Sequence, residues 1–440
     1  MSMRQCSLLL HAQKILTQDA QRRILEDASL AINDGKIVDI GPRRQLECNW
    51  QATRTSDLGN VLILPGLINA HTHAAMTLLR GYADDLPLLQ WLEQKIFPRE
   101  AQLTAELVEL FSLLGFAEML ASGTTACLDM YIFEKAVFAA ARRAGIRLTA
   151  GEGVFGFSSA CCACWQDALQ YTEELVASTA QESRLKVIVS PHSVYTTDPQ
   201  ILTASLHLAE KLNLPLHLHL SESPQEVAQC QKAHGQSPIA YLSRLGLFSR
   251  PTKLAHVVVC SDTDLDILSQ AKDTTILHCP GSNMKLASGC VRIPLMHQRG
   301  LSLALGTDGP ASNNQLNMFL EMNRAALLHK LTANDPETMP ASTVLDMATL
   351  GGARALGHND LGSLEIGNWA DLTALDLSAP NLVPCYEPAS HLVYAASGHE
   401  VVLTMVEGEI LYDHGTFTRF DYESLCREVT KVIASIRKMA

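Results

Sequence analysis

The chain has 440 residues, 47% of them hydrophobic, which is enough to bury a large core and to form one large domain with a smaller one. Its formal net charge is −12 and no run of lysine or arginine appears. We therefore expect no nucleic-acid partner and no anionic membrane surface, because both require a basic stripe. The apolar stretch after Cys6 is interrupted by His11, which predicts a cytoplasmic protein without signal peptide or membrane span.

Short β-patterns open and close the chain. Residues 1–63 predict strands around a turn at 33–36 (NDGK), a strong hairpin signal. Residues 362–420 show similar strand-turn patterns. We expect these two flanks to pair into one small β-sandwich, and residues 421–440 to form a C-terminal helix.

Between the flanks, apolar strand-like runs alternate with amphipathic helical patterns. Two helix starts are readable, because Thr104 and Asp198 stand where an N-cap is expected. The eight strand-like runs are residues 61–67, 124–130, 147–155, 186–190, 215–220, 253–259, 274–278 and 301–306. This alternation predicts an α/β fold, a TIM-like (β/α)₈ barrel, over residues 64–361.

Five of the eight runs end in side chains that bind metals or transfer protons. Catalytic groups of such barrels lie at the carboxyl ends of the strands, so we expect these side chains to meet. They are His71 and His73 after run one, His192 after run four, His217, His219 and Glu222 in and after run five, His256 in run six, and Asp308 after run eight.

The first of these pairs predicts a metal site. Alternate residues of a strand face the same side, so the imidazoles of His71 and His73 converge. One histidine of run five and Asp308 complete a mononuclear set with an open position for water. Strand alternation does not choose between His217 and His219; we expect His219 to be the ligand because it lies nearer the strand end.

Run four ends in 190–192 (SPH), without the lysine that would bridge two metals. We therefore expect one divalent ion per subunit, with Zn²⁺ as the first choice and Fe²⁺ as the alternative. Such an ion lowers the pKa of its bound water. Glu222 could then move a proton from this water to a substrate ring nitrogen, while His256 and Asp308 orient the water.

Twelve cysteines are scattered through the chain rather than spaced as a disulfide framework, so we expect mostly buried free thiols. Cys161, Cys162 and Cys164 form a local cluster that has no partner pair. We interpret it as a cysteine-rich loop and predict no chemistry for it.

Several segments resemble those of one family. They are 65–73 (PGLINAHTH), 76–81 (MTLLRG) with Trp91, 190–193 (SPHS), 217–222 (HLHLSE), 279–286 (CPGSNMKL), 306–314 (GTDGPASNN) and 362–372 (GSLEIGNWADL). Together they span nearly the whole chain. The chain resembles the amidohydrolase superfamily, and more narrowly the methylthioadenosine/S-adenosylhomocysteine deaminases, which stand beside the triazine chlorohydrolases.

The resemblance implies particular roles, carried over position by position. It implies ligation by His71, His73, His219 and Asp308, proton transfer by Glu222, a place beside the water for His256, a ribose contact for Glu100, a pocket wall at Trp91, and further substrate contacts at His192 and Ser312. The implied reaction is hydrolytic removal of the 6-amino group of an adenine nucleoside as ammonia.

One segment departs from relatives that hold an amino-acid carboxylate with arginines. No lysine or arginine lies between Arg147 and Arg184, and Glu152 occupies the segment 151–157. A carboxylate at Glu152 would repel another carboxylate. We therefore expect methylthioadenosine, adenosine or 5′-deoxyadenosine to be preferred over S-adenosylhomocysteine.

Two other functions compete with this interpretation. A guanine deaminase or a triazine-type hydrolase would share the metal but act on a ring without ribose, whereas Glu100 favours a ribosylated small molecule. A ligand-less assembly protein would not need the filled ligand positions. The cytidine-deaminase signature, H-x-E followed by P-C-x-x-C, does not occur. The sequence leaves a homo-oligomer open.

Overall fold

The structure is a computed structural model that describes residues 3–271 and 273–439, with the side chains of the last helix described to residue 435. The strands, in chain order, are β1 (Arg4–Leu16), β2 (Ile24–Asn33), β3 (Lys36–Pro42), β4 (Trp50–Asp57), β5 (Val61–Pro65), β6 (Leu67–Thr72), β7 (Thr124–Tyr131), β8 (Arg147–Val154), β9 (Leu185–Val187), β10 (Ser190–Pro191), β11 (Leu216–Leu220), β12 (Thr252–His256), β13 (Thr274–His278), β14 (Ser302–Leu305), β15 (Leu372–Asp376), β16 (Val401–Val406), β17 (Glu409–Asp413) and β18 (Thr416–Phe417).

Helices fill the connections between the strands. They are α1 (Arg43–Asn49), α2 (Leu88–Trp91), α3 (Phe97–Glu100), α4 (Ala105–Ala121), α5 (Glu134–Ala144), α6 (Trp165–Thr179), α7 (Pro199–Leu212), α8 (Pro224–His234), α9 (Pro238–Arg244), α10 (Asp262–Gln270), α11 (Pro280–Lys285), α12 (Ile293–Gln298), α13 (Met318–Ala333), α14 (Ala341–Ala348), α15 (Leu350–Ala355), α16 (Pro388–Tyr394) and α17 (Tyr422–Met439). The two predicted caps are confirmed, because the Thr104 side chain accepts a hydrogen bond from Leu107 and that of Asp198 accepts one from Ile201. In the described parts of the chain, no helix combines the length and apolarity needed to cross a membrane.

Parallel strands form the barrel at the centre of the molecule. One arc runs β6, β7, β8 and β10, with β9 also beside β8, and the other runs β11 to β14. A parallel bridge between Val189 and Leu216 joins the arcs on one side. On the other side, the Asp308 N–H donates to the His71 carbonyl at 2.9 Å. The predicted barrel is therefore present, with its fourth strand divided into β9 and β10.

Both flanks contribute to one nine-stranded sheet, in the order β18-β17-β16-β15-β5-β1-β2-β3 with β4 beside β1. Its apolar side forms a core of its own, with Leu10, Leu30, Ile63 and Met405 fully or almost fully buried. The predicted pairing of the two flanks is confirmed. The exact division at residues 63, 361 and 420 stays a proposal.

The first predicted barrel run, residues 61–67, is wrong. Val61–Pro65 belongs to the nine-stranded sheet, and the first barrel strand is Leu67–Thr72. The chain passes between the sheets at Gly66, whose N–H donates to the Asp371 carbonyl while that of Leu67 donates to Gly123. A Cβ atom on Gly66 would lie 2.1 Å from the Thr125 hydroxyl oxygen, so only glycine fits this passage. Both strands are buried throughout, so no change of hydrophobic pattern marks the boundary.

Candidate active site

Three histidines and an aspartate meet at the carboxyl end of the barrel. His73 Nε2 lies 3.1 Å from Asp308 Oδ1 and 3.2 Å from His219 Nε2. His71 Nε2 lies 3.4 Å from the same Asp308 oxygen. All four residues are buried. Residues more than 200 positions apart thus form one compact group of donor atoms.

The groups behind these imidazoles fix which nitrogen carries a lone pair. His73 Nδ1 contacts the Met130 carbonyl, and His219 Nδ1 contacts the His192 carbonyl at 3.0 Å. Because a carbonyl only accepts, both Nδ1 atoms carry hydrogen and both Nε2 atoms face the group as lone pairs. This is the tautomer that a metal ligand needs.

The group of His71, His73, His219 and Asp308 fits a divalent cation. Two lone-pair nitrogens 3.2 Å apart repel each other unless a positive charge lies between them. His71 Nε2 is buried and makes no hydrogen bond of its own. Burial alone would lower the pKa of His73, but the hydrogen bond and charge of Asp308 raise it to about 9. The Nε2 lone pair of His73 therefore binds a proton readily, and a metal ion would take the place of that proton. The buried site therefore favours one bound positive charge.

Asp308 is held as a carboxylate. Burial alone would raise its pKa, but contacts with His71 and His73 lower the pKa well below its ordinary value. Its Oδ2 accepts hydrogen bonds from Ser282 at 2.6 Å and Ser312 at 2.9 Å. These hydroxyls leave Oδ1 facing the histidines.

His256 also reaches the group, and one donor atom each from His71, His219, His256 and Asp308 lie within 4.8 Å of one another. Its hydrogen bond distinguishes it from the other histidines. The Asn283 amide donates to His256 Nδ1 at 3.0 Å, so the ring hydrogen of the neutral form lies on Nε2. This geometry makes His256 a hydrogen-bond donor toward the pocket.

Three residues of this site have a strained backbone conformation. Ser221, His256 and Asp308 all have positive φ angles, of 52°, 73° and 60°. Non-glycine residues rarely adopt this conformation, and it persists where the surrounding structure requires it. Strain therefore occurs at the ends of three of the barrel strands that carry the site.

Glu222 lies beside His256 in the wall of the pocket. Its Oε2 is 3.8 Å from His256 Nε2, and its backbone N–H donates to the buried Glu226 carboxylate at 2.7 Å. Burial, followed by the charges of Asp308 and Glu226, raises the pKa of Glu222 well above its ordinary value. A carboxyl group with a raised pKa is a better proton acceptor than an ordinary carboxylate.

A pocket opens in front of these residues. The predicted substrate contacts Glu100, Trp91, His192 and Ser312 all line it, together with Glu222. The Trp91 indole N–H donates to the Ala83 carbonyl, so this side chain presents its ring rather than its nitrogen. Burial lowers the pKa of His192 to about 3, so this imidazole is neutral.

The predicted role of Glu152 in the pocket is wrong. Glu152 is fully buried and is not part of the pocket wall. Its carboxylate accepts hydrogen bonds from the backbone N–H groups of Phe133 and Glu134, at 3.2 and 2.9 Å. These contacts place the Glu152 carboxylate against the start of α5 rather than in the pocket, so it does not touch a substrate group there.

Sequence reasoning missed several side chains of the site. Asn283, which orients His256, and Tyr131 and Tyr195, which line the pocket, carry no signal in a single sequence. Phe155 was inside a predicted strand, but its place in the pocket wall was not predicted. His217, set aside above in favour of His219, lies behind the site, where its Nε2 contacts His71 Nδ1 at 3.0 Å.

A smaller cavity continues from the main pocket. The two share Phe97, Glu100, Ile132 and Phe155 as common walls. Phe157 closes the far side, with its ring centroid 5.1 Å from that of Phe155 and 5.4 Å from that of Phe97. Three phenylalanines therefore give the second cavity an apolar wall.

Comparisons with known proteins agree with this geometry. Residues 62–411 match the model of the amidohydrolase family. A 5-methylthioadenosine/S-adenosylhomocysteine deaminase from Desulfovibrio desulfuricans is 55% identical over 438 residues, which cover 100% of this chain and 99% of that protein.

Two solved structures are similar over almost their full length. An adenosine deaminase from Xanthomonas campestris with bound zinc has a TM-score of 0.96 and 36% identity, covering 99% of this chain and 100% of the other. Atrazine chlorohydrolase TrzN from Arthrobacter aurescens, complexed with zinc, has a TM-score of 0.89 and 26% identity, covering 97% and 100%. The predicted fold class is confirmed.

Proposed function

The chain belongs to the amidohydrolase family, and from that premise we propose that it is a metal-dependent deaminase of adenine nucleosides. It replaces the 6-amino group with oxygen and releases ammonia, leaving the inosine analogue. The observation that carries this proposal is the buried group of His71, His73, His219 and Asp308, which opens on a pocket containing Glu222 and Glu100.

The metal ligands in this proposal are His71, His73, His219 and Asp308, one cation per subunit. Zinc is the first choice, because both of the solved relatives above contain it, and Fe²⁺ is the alternative for the same ligands. When bound, the cation lowers the pKa of a water molecule in the pocket toward neutrality.

Glu222 and His256 handle the protons. The Glu222 carboxylate takes a proton from the water, whose oxygen attacks the ring carbon that carries the amine. Glu222 then delivers that proton to the ring nitrogen. The second proton of the attacking oxygen passes to the amino group, the C–N bond breaks as ammonia leaves, and the oxygen stays on the ring as the carbonyl of the inosine analogue. The N–H of His256 Nε2 donates toward the developing oxyanion, a role supported by the Asn283 contact on its other nitrogen.

Glu100 binds the sugar. Its side chain lies on the boundary between the two cavities, which is where the ribose of a nucleoside would lie if its base faced Glu222. A carboxylate accepts hydrogen bonds from two neighbouring hydroxyls. Trp91 forms part of the apolar wall of the main pocket, and His192 and Ser312 remain proposed substrate contacts.

The smaller cavity receives the 5′ substituent. Phe97, Ile132, Phe155 and Phe157 make it apolar, and among its described lining residues the one ionisable side chain is Glu100. A methylthio group suits these walls, whereas an amino-acid carboxylate would meet a negative charge and no guanidinium. We therefore still expect uncharged 5′ groups to be preferred, but the apolar cavity, and not Glu152, is now the reason.

A substrate panel tests this function. Metal-replete protein is assayed for ammonia release with methylthioadenosine, adenosine, 5′-deoxyadenosine, S-adenosylhomocysteine, guanine and a chlorinated triazine. We expect kcat/KM to be highest for one of the first three nucleosides. Faster turnover of a ribose-free ring would favour the alternative suggested by the similarity to the triazine enzyme, and a highest value for S-adenosylhomocysteine would refute the proposed 5′ preference.

The non-enzymatic alternative is not retained, because all four proposed ligand positions converge in one buried group. The cytoplasmic location, the absence of nucleic-acid and membrane partners, and any homo-oligomer stay predictions.

A further inference from the structure

A second group of metal-binding side chains lies outside the active site. Glu152, Cys161 and Cys162 each place one ligand atom within 4.8 Å of the others. Glu152 and Cys162 are buried, Cys161 is partly buried, and both cysteines are free thiols. The deamination proposed above uses none of these three residues.

A tight turn brings the two consecutive thiols to the same side. The Ser159 hydroxyl accepts hydrogen bonds from the N–H groups of Cys161 and Cys162, at 3.2 and 3.0 Å, while the Ser159 N–H donates to the Cys162 carbonyl at 2.9 Å. Neighbouring side chains on an extended chain would point in opposite directions. The turn overrides that alternation and holds both sulfur atoms near one carboxylate.

Glu152 is fixed independently of the thiols. Two backbone N–H groups at the start of α5 hold its carboxylate, as described above. These bonds orient the carboxylate in the way that hydrogen bonds behind a ligand orient known metal sites. The three donors therefore need little rearrangement to face one ion.

The Glu152 carboxyl group has no positively charged partner among the described residues. Burial, followed by the neighbouring Cys161, raises the pKa of Glu152 well above its ordinary value. Lys135, the cation adjacent to the start of α5, pairs instead with Glu174. Among the described residues, no lysine or arginine forms an ion pair with Glu152. A cation bound here would replace protons on the three donors and neutralise their charge.

We propose that Glu152, Cys161 and Cys162 bind a thiophilic divalent cation of the zinc group, as a second site separate from the active site. Ligand atoms around a tetrahedral zinc ion are about 3.6 to 3.8 Å apart, given bond lengths of about 2.0 to 2.3 Å. The observed limit of 4.8 Å is about one ångström longer, which a rotation of the partly buried Cys161 side chain can close. Thiolate ligands favour zinc and cadmium over magnesium or calcium.

The position of this site gives it a consequence for the pocket. The loop that carries the thiols also supplies Ser158, Ser159 and Ala160 to the wall of the smaller cavity. A cation held by Cys161 and Cys162 would anchor that wall to β8 through Glu152. The new site would thus stabilise the shape of the cavity beside the proposed nucleoside.

Cadmium binding to the full-length, zinc-replete protein tests the proposal. Equilibrium dialysis counts the Cd²⁺ bound per chain, retained zinc is counted in the same samples, and thiolate-to-cadmium charge-transfer absorption reports sulfur ligation. We expect one tight Cd²⁺ beyond the retained zinc in the wild type. The C161S/C162S variant loses that Cd²⁺ and its absorption, and E152Q binds it about tenfold more weakly. The matched control is C164S, which removes an exposed thiol of the same loop and keeps the site.

Three outcomes would overturn the proposal: equal Cd²⁺ binding by the wild type and C161S/C162S, loss of the signal in C164S, or an E152Q affinity equal to that of the wild type. If the double variant does not fold, the single variants C161S and C162S each test the same point, with weakened binding expected. The readout is independent of ammonia release, so failure of this proposal and failure of the proposed deaminase activity are distinguishable.

Discussion

At the scale of single residues, the site depends on where each ring or carboxyl group carries its proton. Carbonyls behind His73 and His219 leave lone pairs facing Asp308, whereas an amide behind His256 leaves a hydrogen facing Glu222. These contacts assign different roles to buried groups of the same site: His73 and His219 are proposed ligands, and His256 is a hydrogen-bond donor. The division rests on hydrogen bonds rather than on residue type.

Glu222→Gln separates proton transfer from metal binding. The amide keeps the size of the side chain but cannot take a proton from water, so we expect kcat for adenosine deamination to fall about 10²- to 10⁴-fold. The metal content should stay at the wild-type value, because Glu222 is not among the proposed ligands. Steady-state kinetics and elemental analysis of the same preparation measure both. Wild-type kcat in this variant would exclude Glu222 as the proton carrier.

Glu100→Gln tests the proposed ribose contact. Loss of a charged acceptor for two hydroxyls should lower kcat/KM for adenosine about 10- to 100-fold, since such hydrogen bonds contribute about 1.5 to 3 kcal/mol. The control is a change of substrate: 2′,3′-dideoxyadenosine lacks both hydroxyls, so its kcat/KM should be nearly the same in both proteins. An equal loss for both substrates would assign Glu100 a role other than sugar binding.

At this scale, the sequence predicted contacts between residues that are close together in the chain and missed contacts between distant residues. His71 lies at the end of β6 and His73 directly after it, so their convergence is a property of neighbouring residues. Glu152 also lies on a barrel strand, but whether it faces the pocket or the surrounding helices depends on the register, and the expectation was wrong. Asn283 acts across 27 positions of sequence, and no pattern in one chain reveals such a contact.

At the scale of elements, the carboxyl ends of the strands were predictable and the passages between sheets were not. Two helix starts were readable because capping is a local contact. The run through Val61–Pro65 and Leu67–Thr72 is apolar throughout and serves two sheets in succession. Its division at Gly66 depends on Thr125, which lies on another strand.

Gly306→Ala tests the junction between β14 and β6. A Cβ atom on Gly306 would lie 2.6 Å from the His71 nitrogen and 2.8 Å from His71 Cβ. The added methyl group must push the two strands apart, which costs about 1 to 3 kcal/mol and displaces a proposed ligand. We expect a lower Tm together with weaker retention of metal during dialysis against a chelator.

The control for this substitution is Gly41→Ala in β3, where the nearest atom to a new Cβ would be a Leu46 methyl carbon at 3.4 Å. This variant should keep the metal as the wild type does. If Gly306→Ala and Gly41→Ala retained metal equally, the close approach of Gly306 to His71 would not matter for the site.

At the scale of the whole molecule, the buried side chain of Arg147 links the barrel to the nine-stranded sheet. Arg147 begins β8 and has a side chain only 1% exposed, yet it forms paired contacts with Asp371 at 3.0 and 3.1 Å. Its guanidinium also lies 3.1 Å from Glu407, and it donates to the Ser183 carbonyl. Because Arg147 and Asp371 are 224 positions apart, the sequence offered no reason to pair them.

Arg147→Met should therefore destabilise the whole chain. Removing one partner of a buried ion pair leaves uncompensated carboxylates and costs about 3 to 5 kcal/mol, so we expect a clear fall in Tm at neutral pH. The matched control is Arg143→Met, because Arg143 forms an exposed pair with Glu109. Exposed pairs contribute about 0 to 1 kcal/mol, so that variant should melt close to the wild type.

The difference in Tm between the wild type and Arg147→Met should also depend on pH. Burial raises the pKa of Glu407, but the charge of Arg147 and the hydrogen bond from Arg184 outweigh it, so the pKa lies below its ordinary value. A carboxyl group with a lowered folded-state pKa stabilises the protein above its unfolded-state pKa, about 4.3, and loses that contribution as the pH falls through the folded-state value. In the variant, Glu407 keeps Arg184 but loses the charge of Arg147, so burial again favours its protonated form and a lower pH relieves the destabilisation. The Tm values of the wild type and Arg147→Met should therefore approach each other as the pH falls from 7 toward 4. Thermal unfolding at each pH measures this difference. A constant or widening difference would show that Arg147 stabilises the fold by packing rather than by charge.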